Sequence, residues 1–449
     1  MEYQEPIGLQ VIEGLLFEKR VGEKKEALLQ QADAIVSSAK DLHALLYGFQ
    51  AADKQLLESI RLELIRVITL GITGFDAPLL KSGIAEATAS LQAVAYVLRP
   101  YLDSGNRQSD SVIKYLTGSL RFLEQHQDFD SFNRLTFLTQ YILPLQQHLG
   151  YLIKELNLEY NTTSGVLNYD AGNIFSGDAL NIQSFPRAGD QPDSLLVKLG
   201  QKLFFETGLS GNYKVSCATC HDPGKYFTDA LPASLAIDGH THVQRNAASL
   251  LYAGFQYGQF WDGRAKSLEE QVRTVMSNPQ EMDGGQATIQ SLLNRKPEYT
   301  NLFQQAFPKA HDTMGLMNQV ANTIAAYIRT LNPRNSRFDQ YMQGRTAILT
   351  APEIRGFNLF MGKAQCGTCH FAPLFNGLLP PLYNLTELEV LGTTRTDNLD
   401  KPEPDTDRGR FNIFPMEFYE KAFKTPTVRN VSATGKQVAF PPVPRFLFL

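Results

Sequence analysis

The feature that most constrains this chain is the pentapeptide pattern Cys-x-x-Cys-His, which occurs twice. The first copy is Cys217-Ala218-Thr219-Cys220-His221 and the second is Cys366-Gly367-Thr368-Cys369-His370; together they use all four cysteines of the 449 residues. The pattern is typical of c-type haem attachment, because two thiols bond one porphyrin and the adjacent histidine ligates its iron. We therefore predict two covalent haems. Their attachment and proximal residues are Cys217, Cys220 and His221, and Cys366, Cys369 and His370.

Two other uses of paired cysteines are less consistent with the spacing. A structural zinc site would place the two pairs close enough to supply four ligands to one ion. Here the pairs are 149 residues apart and each carries its own histidine. A thioredoxin-like redox pair would not explain the adjacent histidine in both copies.

Composition excludes several classes of protein. Hydrophobic residues make up 43% of the chain and charged residues 20%, which is ordinary for a globular protein and unlike a disordered one. The formal net charge of −4 provides no strong field for nucleic acid or an anionic membrane. No apolar run is long enough to span a bilayer. We therefore expect no nucleic-acid partner and no membrane span.

Apolar periodicity predicts a mainly α fold. Residues at three- and four-residue spacing indicate N-terminal helices. These predicted helices are Ala27–Phe49, Gln55–Leu70, Ile84–Leu98, Ser111–Glu124 and Phe132–Leu152. The stretch Asn157–Ser194 is rich in Asn, Gly, Ser, Asp and Pro and is predicted to be a linker. The predicted division is a helical bundle over 1–156, a linker over 157–194, and two haem domains over 195–335 and 336–449.

Short motifs follow one another in a fixed order around the two haem motifs. They are Leu199-Gly200-Gln201-Lys202-Leu203-Phe204, Leu209-Ser210-Gly211, Arg245-Asn246, Phe260-Trp261-Asp262-Gly263-Arg264, Gln271, Glu281-Met282, Arg329-Thr330-Leu331, Phe338-Asp339, Asp407-Arg408-Gly409-Arg410 and Phe423-Lys424-Thr425-Pro426-Thr427-Val428-Arg429-Asn430. In this order, from about Leu195 to Thr434, the chain resembles the bacterial dihaem cytochrome c peroxidases, a family that also contains the MauG-type enzymes.

The resemblance implies a fold and an activity. The fold would be two class I cytochrome c-like domains, the first peroxidatic and the second receiving electrons. The activity would be reduction of hydrogen peroxide to water, with electrons from a small cytochrome or copper protein; a homodimer is also compatible with the family. Two alternatives stay open: a MauG-like oxidase acting on a protein or organic substrate, and a non-catalytic dihaem electron carrier.

Glu281 is the candidate acid–base group. Heterolytic cleavage of peroxide needs a base that takes a proton from one oxygen and returns it to the departing oxygen, and a carboxylate in an apolar pocket can do both. Gln271 is the candidate for orienting the peroxide. Trp261, the only tryptophan of the chain, is the candidate electron relay between the haems by resemblance, a role compatible with a packing role.

Further ligand assignments rest on the resemblance. Arg264 is expected to pair with a haem propionate or, alternatively, to form a salt bridge with Asp262 or Glu269. Either His240 or His242 would cap the first iron on its distal side. A calcium ion would bind the side chain of Asn246 and backbone oxygens near Thr434.

The remaining expectations concern the two ends of the chain. In the family a Met or Tyr ligand of the second iron follows the Lys-Thr-Pro-Thr-x-Arg-Asn segment, and the sequence after Thr434 does not match that stretch. At the other end, Gly8-Leu9-Gln10-Val11-Ile12-Glu13 is similar to the Gly-x-His-x-x-Glu signature of the imelysin family, with Gln10 in place of the histidine and Glu13 expected on a helix surface. No signal peptide is visible after Met1. Covalent haem attachment nevertheless points to the bacterial periplasm.

Overall fold

The computed structural model describes residues 6–103, 105–186, 193–308, 315–345, 347–395, 398 and 400–433. The α-helices are α1 (Leu9–Leu16), α2 (Lys25–Leu45), α3 (Asp53–Arg66), α4 (Gly83–Leu98), α5 (Arg107–Gln125), α6 (Arg134–Phe137), α7 (Leu143–Glu155), α8 (Ser194–Phe204), α9 (Cys217–Cys220), α10 (Leu268–Ser277), α11 (Gln286–Arg295), α12 (Pro297–Ala306), α13 (Leu316–Arg329), α14 (Arg337–Met342) and α15 (Ala351–Met361). The strands are β1 (Thr163–Ser164), β2 (Leu167–Asn168), β3 (Leu388–Val390) and β4 (Ala422–Lys424).

The mainly α fold class is confirmed, since the strands are only two or three residues long. β3 and β4 pair antiparallel, with Leu388 opposite Lys424 and Val390 opposite Ala422. Within the described residues, no helix has both the length and the apolar character that crossing a bilayer requires. The layout of the N-terminal bundle and the class I cytochrome c-like form of the haem domains stay predictions.

The helix predicted over Phe132–Leu152 is divided in the structure. α6 is followed by a π-helical turn over Leu138–Ile142 and only then by α7. Pro144 lies at the start of α7, where its missing N–H and its ring oppose continuation of a regular α-helix from the preceding turn. Periodicity alone identified the helical stretch but not this interruption.

The described residues form two compact units. The first comprises the described parts of Met1–Ser164, Asn168–Ala179 and Ile354–Phe371, and the second those of Gly165–Leu167, Leu180–Glu353 and Ala372–Leu449. The second haem motif therefore groups with the N-terminal helices, whereas the sequence analysis assigned it to a domain over 336–449. The predicted domain boundaries stay predictions.

The stretch predicted as a linker contributes to the packing of both units. In the first unit Ile174 and Phe175 are buried, and the backbone N–H of Ile174 donates to Gln146 Oε1 at 3.0 Å. In the second unit Phe185 is buried and its ring meets Phe255 edge-on at 5.5 Å between centroids. These apolar side chains give the described part of the stretch a fixed place in each core.

Glu13 of α1 is buried, although the sequence analysis expected a surface carboxylate. Its Oε1 accepts hydrogen bonds from the backbone N–H groups of Leu79 and Leu80, at 3.1 and 2.7 Å. Gln10 adds a bond from Nε2 to the carbonyl of Phe75 at 3.0 Å. The expectation for Glu13 was wrong because backbone donors 66 and 67 residues away need an acceptor, which local sequence does not reveal.

The core of the second unit depends on a close crossing of α8 and α13. α8 begins where the side chain of Asp193 accepts bonds from the N–H groups of Leu195 and Leu196, both at 2.8 Å. At Gly200 a Cβ would lie 1.8 Å from the carbonyl oxygen of Thr323 on α13. Only a residue without a side chain allows the two helix backbones to approach so closely.

Replacing Gly200 by alanine is expected to destabilise the fold by about 3 kcal/mol, at the upper end of overpacking costs, because the added methyl meets rigid backbone. Gly150→Ala is the matched control, since a Cβ at Gly150 in α7 meets nothing within 4 Å. The free energy of unfolding of the control should rise by about 0.5–1 kcal/mol, the usual preference for alanine over glycine in a helix. Urea unfolding of both variants measures the difference, and equal midpoints would contradict the close crossing.

Candidate functional site

The first haem motif forms a short helix whose two thiols are available for covalent attachment. Cys217 and Cys220 are the first and last residues of α9, and neither forms a disulfide. Three-residue spacing places both side chains on one face of the helix. Burial raises the pKa of the Cys217 thiol to about 12 and that of Cys220 to about 11. Cys217 packs against the apolar core of the second unit, so these residues fit one porphyrin edge.

The ring of His221 is oriented by the chain that follows it. Its Nδ1 lies 3.0 Å from the carbonyl oxygen of Phe227. A hydrogen bond from Nδ1 to a carbonyl selects the tautomer in which Nε2 carries the lone pair, as in metal-binding histidines. Burial lowers the pKa of His221, so the ring is neutral at pH 7. His221 therefore fits the role of a proximal iron ligand.

Glu281 lies in the loop between α10 and α11, in the same unit as the first haem motif. The loop is fixed by its own backbone, where Gly284 N–H donates to the carbonyl of Met276 at 2.7 Å. Asn278 Nδ2 donates to Glu281 Oε2 at 2.7 Å. The charge of Glu281 contributes to the raised pKa of Cys220, so the carboxylate lies close to the attachment helix.

Burial is also the main influence on the protonation of Glu281. It raises the pKa of the carboxyl, against the opposing effects of the Asn278 hydrogen bond and the charge of Arg264. A carboxyl with a raised pKa near an iron-binding motif can exchange protons with a bound molecule more readily than a fully solvated one. The structure thus brings together three of the predicted residues, Glu281, Cys220 and Arg264.

Gln271 and Trp261 lie in the same unit, each half-buried. Gln271 is on α10, and Ser267 caps that helix by accepting from the N–H of Glu270 at 3.2 Å. Trp261 is in a loop closed where Gln259 N–H donates to the carbonyl of Ala265 at 2.8 Å. Their roles toward peroxide and electrons stay predictions.

Arg264 forms the salt bridge that was one of its two predicted roles. Its Nη1 lies 2.8 Å from Asp262 Oδ2, and its guanidinium stacks 3.5 Å from the centroid of Phe260. Asp262 also pairs with Arg245 at 2.7 Å. The other suggested partner, Glu269, pairs instead with Arg329 at 2.6 Å. The propionate role of Arg264 stays a prediction.

The two candidate distal histidines lie on an exposed turn. Both His240 and His242 are exposed, and the N–H of His240 donates to Asp238 Oδ1 at 2.8 Å. The structure therefore does not place either ring in buried surroundings like those of His221, and the ligand role stays a prediction. The Nδ2 of Asn246 is buried with no hydrogen-bond partner among the described residues. The calcium prediction also involved Thr434, which, like the residues after it, lies outside the described residues.

Sequence reasoning gave no role to Lys424, which the structure places beside the loop of Trp261. The backbone N–H of Lys424 donates to the carbonyl of Trp261 at 2.8 Å. Its Nζ donates to Gln256 Oε1 and to the carbonyl of Gly258, the latter at 3.0 Å. Burial lowers the pKa of Lys424 to about 7, while the charge of Asp262 opposes the shift. Nothing in the local sequence distinguishes this lysine from a surface lysine, so the sequence held no signal for it.

The second haem motif packs on the N-terminal helices within the first unit. Cys366–Thr368 forms a 3-10 turn, and the adjacent Phe371 ring meets Phe75 edge-on at 5.5 Å between centroids. Gln365 Nε2 donates to the carbonyl of Pro78 at 2.5 Å. A Cβ at Gly367 would lie 3.4 Å from the methyl group of Thr73. The N-terminal helices therefore form one wall around this attachment segment.

Arg134 is the most deeply buried cation of that wall. Its guanidinium donates to the carbonyls of Ile72, Phe132 and Phe129 at 2.7, 3.2 and 2.9 Å, and its side chain is 0% exposed. Burial lowers its pKa to about 10, so it remains charged at pH 7. A Cβ at Gly362, four residues before Cys366, would lie 2.1 Å from Arg134 Nη1. The chain leading into the second motif thus lies directly on this guanidinium.

Comparison with known proteins agrees with the haem motifs. A family model described as di-haem cytochrome c peroxidase matches residues 194–347. A cytochrome-c peroxidase, IdrP2, of Denitromonas iodatirespirans is 33% identical over 288 residues, which cover 60% of this chain and 76% of that protein. The chain belongs to the dihaem cytochrome c peroxidase family.

Other members of the family match a similar share of the chain. The cytochrome c551 peroxidase of Pseudomonas aeruginosa is 34% identical over 53% of this chain, and the match spans 65% of that relative's length. The crystal structure of a MauG-like protein associated with microbial copper homeostasis is similar with a TM-score of 0.50 and 28% identity, covering 57% of this chain and 77% of that one. Membership of this dihaem family implies two c-type haems. The imelysin-like resemblance of the N-terminal helices stays a prediction.

Proposed function

We propose that this protein is a dihaem peroxidase that reduces hydrogen peroxide to water. The observation that carries the proposal is Glu281, whose half-buried carboxyl has a raised pKa and whose charge acts on Cys220 of the attachment helix of the first haem. A c-type haem held by Cys217, Cys220 and His221 would supply the iron and redox chemistry for O–O bond cleavage. A small cytochrome or copper protein would donate the electrons.

The protein's own groups would manage protons and position in this reaction. Glu281 would accept a proton from one peroxide oxygen and return it to the departing oxygen, as a general base and then a general acid. The Asn278 amide holds the carboxylate in one orientation. Gln271 would orient the peroxide, and Trp261 would relay electrons from the second haem.

The MauG-like alternative is supported by the similar MauG-like structure and by MauG relatives such as that of Paracoccus denitrificans, 31% identical over 284 residues. A MauG-like oxidase would turn the same oxidising equivalents on a protein or organic substrate. A non-catalytic electron carrier is less consistent with the site, since a carrier has no use for a half-buried carboxyl of raised pKa in the unit of the first haem motif. The periplasm is the proposed location, because covalent haem attachment takes place outside the bacterial cytoplasm.

Haem content and peroxide turnover, measured on one sample, test the proposal. We expect two haems per chain by pyridine haemochrome after expression with c-haem maturation machinery, and peroxide consumption driven by a reduced small cytochrome. The variant lacking Cys217 and Cys220, both replaced by alanine, is the control and should keep one haem and lose turnover. Two haems without turnover would overturn the peroxidase assignment, and fewer than two would overturn the proposed electron path.

A further inference from the structure

Arg334 is a buried guanidinium without an acceptor. It lies between α13 and α14 in the second unit, and its Nε, Nη1 and Nη2 are all buried with no hydrogen-bond partner among the described residues. Its guanidinium carbon lies 5.8 Å from the centroid of the Phe255 ring. An unpaired buried charge is costly, so a native protein normally supplies a partner for it.

Asp339, the carboxylate whose charge acts on Arg334, is already paired with another arginine. Asp339 receives Arg429 Nη2 on Oδ1 at 2.9 Å and Arg429 Nη1 on Oδ2 at 3.1 Å. The hydroxyl of Ser336 also donates to Asp339 Oδ2, at 2.8 Å. Two guanidinium groups thus lie in the field of one carboxylate, which bonds only to Arg429, and the cluster carries a net positive charge. Burial and the charge of Arg429 accordingly lower the pKa of Arg334, to about 10.

The backbone next to Arg334 is held by two hydrogen bonds to Tyr252. Tyr252 donates its hydroxyl to the carbonyl of Pro333. The backbone N–H of Tyr252 donates to the carbonyl of Leu331 at 2.8 Å. Tyr252 itself is 4% exposed, which anchors this contact in the core. The backbone from which the Arg334 side chain extends is therefore fixed within the unit.

We propose that Arg334 binds a carboxylate and that this carboxylate is a propionate of one of the two c-type haems. A guanidinium presents parallel N–H donors that match the two oxygens of a carboxylate, and a single anion would both satisfy the free nitrogens and neutralise the excess charge of the Arg334–Arg429–Asp339 cluster. A haem propionate is the anionic carboxylate that the two attachment motifs bring into this protein. The inference rests on haem attachment and not on peroxide chemistry, so it can fail or hold independently of the proposed function.

The test is the reduction potential of each haem in the holoprotein carrying Arg334→Met. Removing the cation leaves the propionate charge uncompensated, which favours the ferric form of the haem that bears it. We expect the potential of that haem to fall by at least about 59 mV, a tenfold change in a one-electron equilibrium. Arg334→Lys retains the positive charge, so the potential of the same haem should fall by less in this variant. Arg345→Met, an exposed arginine of the same unit, is the matched control.

Spectroelectrochemical titration of the holoprotein measures the potential of each haem, so an effect on one haem is separated from an effect on both. A selective shift of either haem in Arg334→Met, reduced in Arg334→Lys, would support the proposal and identify the haem concerned. Shifts of both haems no larger than that of Arg345→Met would overturn it. Were Arg334→Met to lose haem, the Arg334→Lys titration would decide alone. A fall in the potential of one haem beyond that of Arg345→Met would support the proposal. Potentials equal to those of the control, or haem loss in Arg334→Lys as well, would overturn it in favour of a folding role.

Discussion

Replacing Glu281 by glutamine is expected to lower peroxide turnover at least about a hundredfold, the scale of positioned acid–base catalysis. Glutamine keeps the size of the side chain and can still bond to Asn278, but it cannot accept and return a proton. Steady-state peroxide consumption with a fixed electron donor measures the effect. Pyridine haemochrome content and the visible spectrum should stay at wild-type values, which separates loss of catalysis from loss of haem.

The pH profile gives this prediction a second measurement. Because burial raises the pKa of Glu281 above the usual 4.5, turnover should rise with pH through that raised value as the carboxylate becomes available to take a proton. The same limb should be missing from the profile of Glu281→Gln. Glu298→Gln, an exposed glutamate on α12, is the matched control and should change neither rate nor profile. Unchanged turnover in Glu281→Gln would remove the acid–base role.

Replacing Arg134 by methionine is expected to lower the free energy of unfolding by more than about 3 kcal/mol, because three buried carbonyls lose their donor at roughly 1–3 kcal/mol each. The cation–π contacts with Phe129 and Phe132, at 4.4 and 5.6 Å, are lost as well. Since Gly362 lies on the guanidinium, the segment leading to Cys366 should lose its support, and haem content should fall from two per chain towards one.

The control for Arg134 is Arg121→Met, which changes an exposed arginine of α5 in the same unit. Urea unfolding followed by far-UV circular dichroism measures the free energy of unfolding. Pyridine haemochrome on the same samples measures the haem content. If Arg134→Met matched Arg121→Met in stability and kept two haems, the N-terminal helices would have no part in supporting the second attachment segment.

The sequence predicted the parts of the site that are local in the chain. Two pentapeptides were enough to predict the haem ligands, because the spacing of thiols and histidine is set by the porphyrin itself. Glu281 was identified by resemblance, and its raised pKa is consistent with the proposed chemistry. The helices were largely predictable, since amphipathic periodicity is a local property.

What the sequence could not predict depends on distant contacts. The bond from Gln365 to Pro78 joins residues 287 positions apart, so nothing near either residue announces it. Lys424 and Arg334 look like ordinary cations in the sequence, and only the structure shows that both are buried. The burial of Glu13 was not predicted for the same reason. Its partners are backbone N–H groups, and residue type does not indicate which N–H groups need an acceptor.

The discontinuous make-up of the first unit has a consequence for the order of synthesis. Its last stretch, Ile354–Phe371, follows more than 170 residues that belong to the second unit. As the chain is made and exported, the N-terminal helices emerge first, and the surface formed by Thr73, Phe75 and Arg134 is covered only after Phe371 has followed. A nascent chain stopped before that point exposes this surface, which makes it a candidate site for a chaperone or for premature association. Covalent haem attachment to Cys366 and Cys369 must therefore compete in time with the closure of this unit.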